Sequence, residues 1–297
     1  MTRPGDPMMR GGLGLAAVAY LWASASADAP PMDAEVATSA PTVSEAVRAG
    51  RHLRLALPQG PVHVWIPPGY HPDGAATVVY VHGYYDRVDE AWVAHRLPEQ
   101  FALAGGNALF IAPEAPIGVG QPVTFPDLLG LLQEVETRTG QWRGTGPLVA
   151  VGHSGAHRTV TRWLAEPLLD TVILIDALYG EQDTFATWLE ASSEHRLVTV
   201  GDDTLRWTEE LALTIPGTVT ADHFPIAAES WTPAQRAARH LYVRSQFGHM
   251  ALVTEGVALP WLLRLLPVER LSGTAWHEPL GESVPWVAPA LPDLDEP

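Results

Sequence analysis

Apolar residues in this chain follow two rhythms. Early on they alternate with polar ones, as His52-Leu53-Arg54-Leu55-Ala56-Leu57 and, after a Gln59-Gly60-Pro61 turn, Val62-His63-Val64-Trp65-Ile66. Successive side chains of a strand point to opposite faces, so a period of two predicts an antiparallel hairpin that opens a sheet. From residue 77 the rhythm changes to short unbroken apolar runs at 77–81, 108–112, 148–151, 171–175, 197–200 and 241–244. Such runs suit strands covered on both faces, as in a mostly parallel sheet. Between them lie segments of helical composition: 89–104 with a break expected at Pro98, 125–139, 156–165, 185–191, 205–213, and a closing helix over 259–266. In the second, Leu128, Leu129, Leu131, Leu132 and Val135 share one broad face. Strand alternating with helix predicts an α/β fold with a doubly wound, mostly parallel sheet.

Several stretches fall outside this alternation. Arg3 and Arg10 precede a run of apolar and small residues over 11–23, and Ala25-Ser26-Ala27 follows. A basic start, a short apolar middle and an Ala-x-Ala end predict a cleavable signal peptide over 1–27 and a secreted or periplasmic protein. Residues 28–50 read as a flexible linker, rich in Ala, Pro, Ser and Thr to about Glu45, with order beginning near Arg51. The domain proper spans 51–266. Within it, 214–234 is long for a simple connection and is expected to cover the site. The tail, 267–297, is Pro-rich and carries Trp276 and Trp286.

Composition narrows the partners. The formal net charge is -16, and loss of the leader with Arg3, Arg10 and Asp6 makes it one unit more negative. That charge disfavours nucleic acid and anionic membrane surfaces. No run reaches the roughly 18 apolar residues of a membrane span, so stable membrane insertion is not expected. With no cysteine, no disulfide forms. The sequence does not set the oligomeric state.

The chemistry centres on residues 148–158, Leu-Val-Ala-Val-Gly-His-Ser-Gly-Ala-His-Arg. An apolar strand ends at Gly152, Ser154 follows, and a helical segment begins directly behind. A side chain on so sharp a turn points out of the sheet and requires small neighbours two places away on either side; Gly152 and Ala156 are small. The five residues Gly152-His153-Ser154-Gly155-Ala156 resemble the Gly-x-Ser-x-Gly nucleophile turn of the α/β-hydrolase superfamily, in its Gly-x-Ser-x-Ala form. The resemblance covers roughly residues 51–266 and implies a sheet of the α/β-hydrolase type with catalytic groups in the order nucleophile, acid, histidine.

Open α/β sheets place their ligands at the carboxyl edge of the strands, and each polar group of interest follows a strand. His249, in Gln246-Phe247-Gly248-His249-Met250, comes a few residues after the final run and is the candidate base for Ser154. Two places compete for the carboxylate that orients it. Asp176 directly follows the run 171–175; Asp202 and Asp203 follow the next run, where they could equally cap the helix starting near Leu205. By the resemblance, the oxyanion donors are the backbone N–H of Gly155 and that of Tyr84 in the His82-Gly83-Tyr84 turn, with His82 bracing the loop. Tyr85 and Glu114 are candidate substrate contacts. His153 and His157 have the spacing of a zinc pair, but no His-Glu-x-x-His frame or third ligand accompanies them, so no metal and no cofactor are expected. The reading is a secreted serine hydrolase acting on a small-molecule or lipid-like ester (or amide). The alternative is a catalytically inactive binding protein on the same fold.

Overall fold

The computed structural model describes residues 42–226 and 230–271. The predicted leader, residues 28–41 of the linker and the tail beyond 271 lie outside them. The described chain begins with helix α1 (Val43–Ala49), inside the stretch assigned to the linker. Its start is a capping box: the Thr42 hydroxyl accepts from the Glu45 N–H, and the Glu45 carboxylate accepts from the Thr42 N–H at 2.7 Å. Thr-x-x-Glu was the signal, hidden in a composition that otherwise looks disordered.

The elements that follow are β1 (Arg51–Leu57), β2 (Gly60–Ile66), β3 (Ala76–Val81), α2 (Val88–Ala94), α3 (Leu97–Ala104), β4 (Ala108–Pro113), α4 (Leu128–Thr139), β5 (Leu148–His153), a 3-10 turn (Ser154–Ala156), α5 (His157–Trp163), β6 (Leu169–Ile175), α6 (Gln182–Glu190), β7 (Arg196–Gly201), α7 (Leu205–Thr214), β8 (Val219–Ala221), α8 (Pro233–Ala237), β9 (His240–Arg244), α9 (Ala251–Thr254) and α10 (Ala258–Leu263). They form one nine-stranded sheet in the order β1-β2-β4-β3-β5-β6-β7-β9-β8. The hairpin pairs antiparallel, and β2 joins β4 antiparallel. All remaining pairs are parallel.

Each strand face feeds its own core. Val78, Tyr80, Val149 and Val151 pack with α3 and α10 on one side. Val79, Val81, Leu148 and Ala150 pack with α4, α5 and α6 on the other. Both faces being covered is the physical reason that these strands read as unbroken apolar runs. Among the described residues, no helix is long and apolar enough to cross a membrane.

Some boundaries and one segment differ from the sequence reading. The helical segment 89–104 breaks at His95 and Arg96, Arg96 being left-handed with φ 50°. Pro98 lies in the first turn of α3, where its missing N–H costs no helical bond. The 125–139 helix starts at Leu128, because the Asp127 carboxylate accepts from the Gly130 N–H at 2.9 Å and fixes the first turn there. The stretch 214–234 contains an edge strand, β8, and its Phe224 and Trp231 are buried in the core; the Trp231 indole donates to the Trp261 carbonyl at 2.8 Å. Its described part adds a strand to the sheet edge, and three residues of strand carry too little periodicity to be read. The tail begins as a strap: Leu271 N–H donates to Gly105, and Asn107 N–H to Glu269.

The strand order reverses at β3. The chain runs from β3 outward to β4, then returns to the other side of β3 with β5. Val81 stands beside Gly152, His153 beside Ile175, Ile175 beside Val200, and Gly201 beside Arg244. The loops after β3, β5, β6, β7 and β9 therefore leave the same edge as neighbours, where such a reversal opens a crevice.

Candidate active site

Ser154 sits where β5 hands over to the 3-10 turn, with φ 53°. A left-handed backbone at a residue with a Cβ costs on the order of 1 kcal/mol or more and persists only where its surroundings hold it. Those surroundings are three glycines. A Cβ on Gly152 would lie 2.9 Å from Val160 Cγ2 and 3.2 Å from Ala156 Cβ, so α5 crosses too close for any side chain there. One on Gly83 would lie 2.8 Å from Ser154 Cβ, and one on Gly155 within 2.6 Å of the Tyr84 ring atoms. The loop after β3 and the turn after β5 are thus pressed together, the glycine backbone of each against a side chain of the other.

Asp176 ends β6 with φ 47° and is fully buried. Its Oδ1 accepts from the N–H of Asp202 (2.8 Å), the N–H of Thr204 (2.8 Å) and the Thr204 hydroxyl (2.6 Å). Its Oδ2 accepts from the N–H of Asp203 (3.0 Å) and from His249 Nδ1 (2.5 Å). Burial alone would raise this carboxyl's pKa; the bonds from His249, Thr204 and Asp202 together outweigh it and hold the group well below the usual carboxylate range. Asp176 is therefore ionised at neutral pH. His249 responds in kind, its pKa raised by the Asp176 hydrogen bond against the opposing effect of burial. With a side chain 22% exposed, the imidazole keeps one edge open to the crevice.

Asp202 and Asp203 stand differently. Asp203 Oδ2 is 3.7 Å from His249 Nδ1 and its side chain is 63% exposed. Neither residue caps α7, whose N-cap is Thr204. What both supply is backbone N–H groups to Asp176. The geometry pairs His249 with Asp176 and leaves the other two carboxylates on the rim.

The loop after β3 is held from beneath. Buried His82 donates from Nδ1 to the Gly83 carbonyl (2.7 Å), and its Nε2 pairs with Glu114 Oε1 (3.0 Å). The same Glu114 oxygen accepts from the N–H groups of Val88 and Ala115, both at 3.2 Å. Glu114 Oε1 is thus tied to three partners inside the protein; its position after a strand gave no hint of the histidine beside it. Tyr85 is 88% exposed at φ 76°, and its N–H is taken by the Ile117 carbonyl at 3.0 Å. Among the described residues, no backbone hydrogen bond outside the helices and strands uses the Tyr84 N–H.

Three residues at the site were not assigned a part in it from the sequence. His153, considered only as half of a zinc pair, donates from Nε2 to the His249 carbonyl (3.2 Å), and the two rings lie 4.7 Å apart. Burial first, then the nearby His249, push its pKa down to about 3, so it stays neutral. It joins the nucleophile turn to the loop that carries His249. Thr204 gives Asp176 two bonds. Tyr179, three residues after Asp176, has its ring 5.6 Å from that of His157, whose Nδ1 is 3.5 Å from the Ser154 carbonyl oxygen.

As to metals, Asp176, Asp203 and His249 bring three possible ligand atoms within 4.8 Å of one another. His249 Nδ1 already shares a proton with Asp176, and a metal there would displace it. His157 turns its ring toward Tyr179, 5.6 Å away, while His153 faces His95 and His249.

No protein-family model and no curated protein matches the chain. Solved structures do. A feruloyl esterase module from Clostridium thermocellum is 13% identical over 72% of this chain and 88% of its own, with a TM-score of 0.48. A hormone-sensitive lipase from a metagenome library is 12% identical over 75% and 87%, with a TM-score of 0.47. A carboxyl esterase from the mycorrhizal fungus Tuber melanosporum is 13% identical over 72% and 85%, at 0.46. The strand order, its reversal at β3, and the row of strand-end loops along one edge give this chain a fold of the α/β-hydrolase type.

Proposed function

We propose that the protein is a serine hydrolase that cleaves a small-molecule or lipid-like carboxylic ester through an acyl-enzyme on Ser154. The observation that carries this reading is the buried Asp176 bonded to His249 Nδ1, the histidine standing in a loop that His153 ties to the strained turn of Ser154.

In the first half-reaction His249 Nε2 takes the Ser154 hydroxyl proton as Oγ bonds to the ester carbonyl carbon. The carbonyl electron pair moves onto its oxygen, and the N–H groups of Tyr84 and Gly155 stabilise that charge. Each such donor is worth roughly a hundred- to a thousandfold in rate. When the carbonyl re-forms, the bond to the alcohol oxygen breaks and the alcohol leaves with the proton from His249. Water then repeats the path: it gives a proton to His249, attacks the acyl carbon, and releases the acid as Ser154 regains its proton. Asp176 keeps the proton on Nδ1 throughout, so that Nε2 begins each half-reaction as an acceptor. Export through a leader cleaved after Ala27 belongs to the same proposal, and N-terminal sequencing of protein recovered outside the cytoplasm tests it.

The direct test is turnover of a p-nitrophenyl ester by Ser154→Ala. Loss of at least about a thousandfold in kcat with unchanged melting supports the reading. Undiminished turnover moves the chemistry off Ser154. A folded wild-type protein that turns over no ester is the inactive binding protein on this fold.

A further inference from the structure

Beyond the nucleophile, the side chains that continue outward from Ser154 are rings. The Tyr179 ring lies 5.8 Å from that of Trp207 and 5.6 Å from that of His157, whose Nδ1 is 3.5 Å from the Ser154 carbonyl oxygen. All three rings are partly exposed. They are tilted against one another by 42° and 52° instead of being stacked, so their faces are not used up on each other. The Arg206 guanidinium lies 5.6 Å over Trp207 and closes the far end of the row. The rim adds apolar surface at Tyr85, Met250 (48% exposed) and Leu205 (42% exposed).

Folding leaves such rings partly in water at a cost in hydrophobic stabilisation, and none is needed for the proton transfers of Ser154, His249 and Asp176. Aromatic rings attract another planar ring, edge to face or offset, with centroids about 4.5–7 Å apart, and they do so beyond what area burial gives.

We propose that the substrate is an ester carrying an aromatic ring, held against Tyr179 and Trp207 while its carbonyl meets Ser154. This rests on the serine-hydrolase reading and names the substrate class of the same site. The ring belongs to either the acyl or the alcohol half of the ester.

The test compares isosteric pairs that differ only in the π face. Ethyl 3-phenylpropanoate against ethyl 3-cyclohexylpropanoate places the ring in the acyl half; 2-phenylethyl propanoate against 2-cyclohexylethyl propanoate places it in the alcohol half. Hydrolysis is followed by pH-stat. In one of the two pairs kcat/KM is expected to favour phenyl by about fivefold, the scale of an aromatic pair. Tyr179→Leu and Trp207→Leu keep apolar bulk and are expected to bring that ratio toward one, whereas Tyr179→Phe keeps it. A ratio near one in both pairs with hydrolysis proceeding overturns this proposal and leaves the hydrolase intact, as does a ratio that survives both leucine variants. If no ester is hydrolysed, the hydrolase reading fails. The ring wall is then decided by saturation-transfer NMR of 2-phenylethanol and 2-cyclohexylethanol with the folded protein: preferential phenyl binding lost in Trp207→Leu supports it, and equal binding refutes it.

Discussion

Replacing Asp176 by Asn changes one atom type and separates two jobs of the carboxylate. Oδ1 accepts three bonds and Oδ2 two. The amide oxygen of Asn can take only one of these places. If it takes the Oδ1 position, its NH2 faces the Asp203 N–H and His249 Nδ1; the reverse orientation would oppose three donors and is worse. With an NH2 in front of it, Nδ1 must accept, and the imidazole proton moves to Nε2, where it can no longer take a proton from Ser154. Turnover is then expected to fall by about four orders of magnitude, the scale seen when a triad acid loses its oxygen. The bond from the Asp203 N–H is lost as well, at a cost of about 2 kcal/mol. The φ of 47° adds little, since Asn tolerates the left-handed region. Ester turnover gives the first quantity and urea unfolding the second. Asp203→Asn is the control: exposed and 3.7 Å from Nδ1, it is expected to stay within tenfold of wild type. A Asp176→Asn variant within tenfold of wild type, with Asp203→Asn inactive, would refute the assignment.

Other expectations follow from the same geometry. Gly83→Ala would put a methyl 2.8 Å from Ser154 Cβ, and is expected to lower kcat by at least about tenfold while a melting curve shows a folded protein. His153→Gln keeps a donor near the position of Nε2 and is expected to retain most of kcat, whereas His153→Phe removes the bond to the His249 carbonyl and is expected to lose about tenfold in kcat with little change in KM. Because Asp176 raises the pKa of His249, kcat/KM is expected to fall as pH drops through a value above 6.5, measured as a pH–rate profile. Stability runs the same way for a different reason. Buried His95 and His240, each lowered to about 4, and His153, lowered to about 3, bind protons more weakly folded than unfolded. Their contribution is intact above pH 6.5 and fades as pH falls toward 4, by up to about 2 kcal/mol each at pH 5, with His249 opposing. Urea midpoints at pH 8 and pH 5 check it.

Long periodic elements were legible in the sequence, and short or tertiary ones were not. The hairpin, the buried parallel strands and the helices behind them carry period and composition within themselves, and the edge of the sheet follows from their alternation. Helix α1 escaped because a single capping box was outweighed by Ala, Pro and Ser around it, and β8 because three residues define no period. At the site, Ser154, Asp176 and His249 were visible as polar residues placed at or a few residues beyond the ends of apolar runs. The choice between Asp176 and Asp203 was not visible, because it depends on which carboxylate the loop 202–204 wraps with its N–H groups. Glu114 could not be told from a solvated loop acid without His82, distant in sequence, beside it. His153 and Tyr179 carry no local signal for their positions, which arise only when neighbouring strands bring their ends together.

The most direct test of the central claim is a crystal structure of the protein after reaction with a fluorophosphonate. The account predicts phosphorus bonded to Ser154 Oγ, one phosphoryl oxygen about 2.7–3.1 Å from the N–H groups of both Tyr84 and Gly155, and His249 bridging from Asp176 to the phosphoryl group. A label on another residue, or His249 turned away from a labelled Ser154, would contradict it.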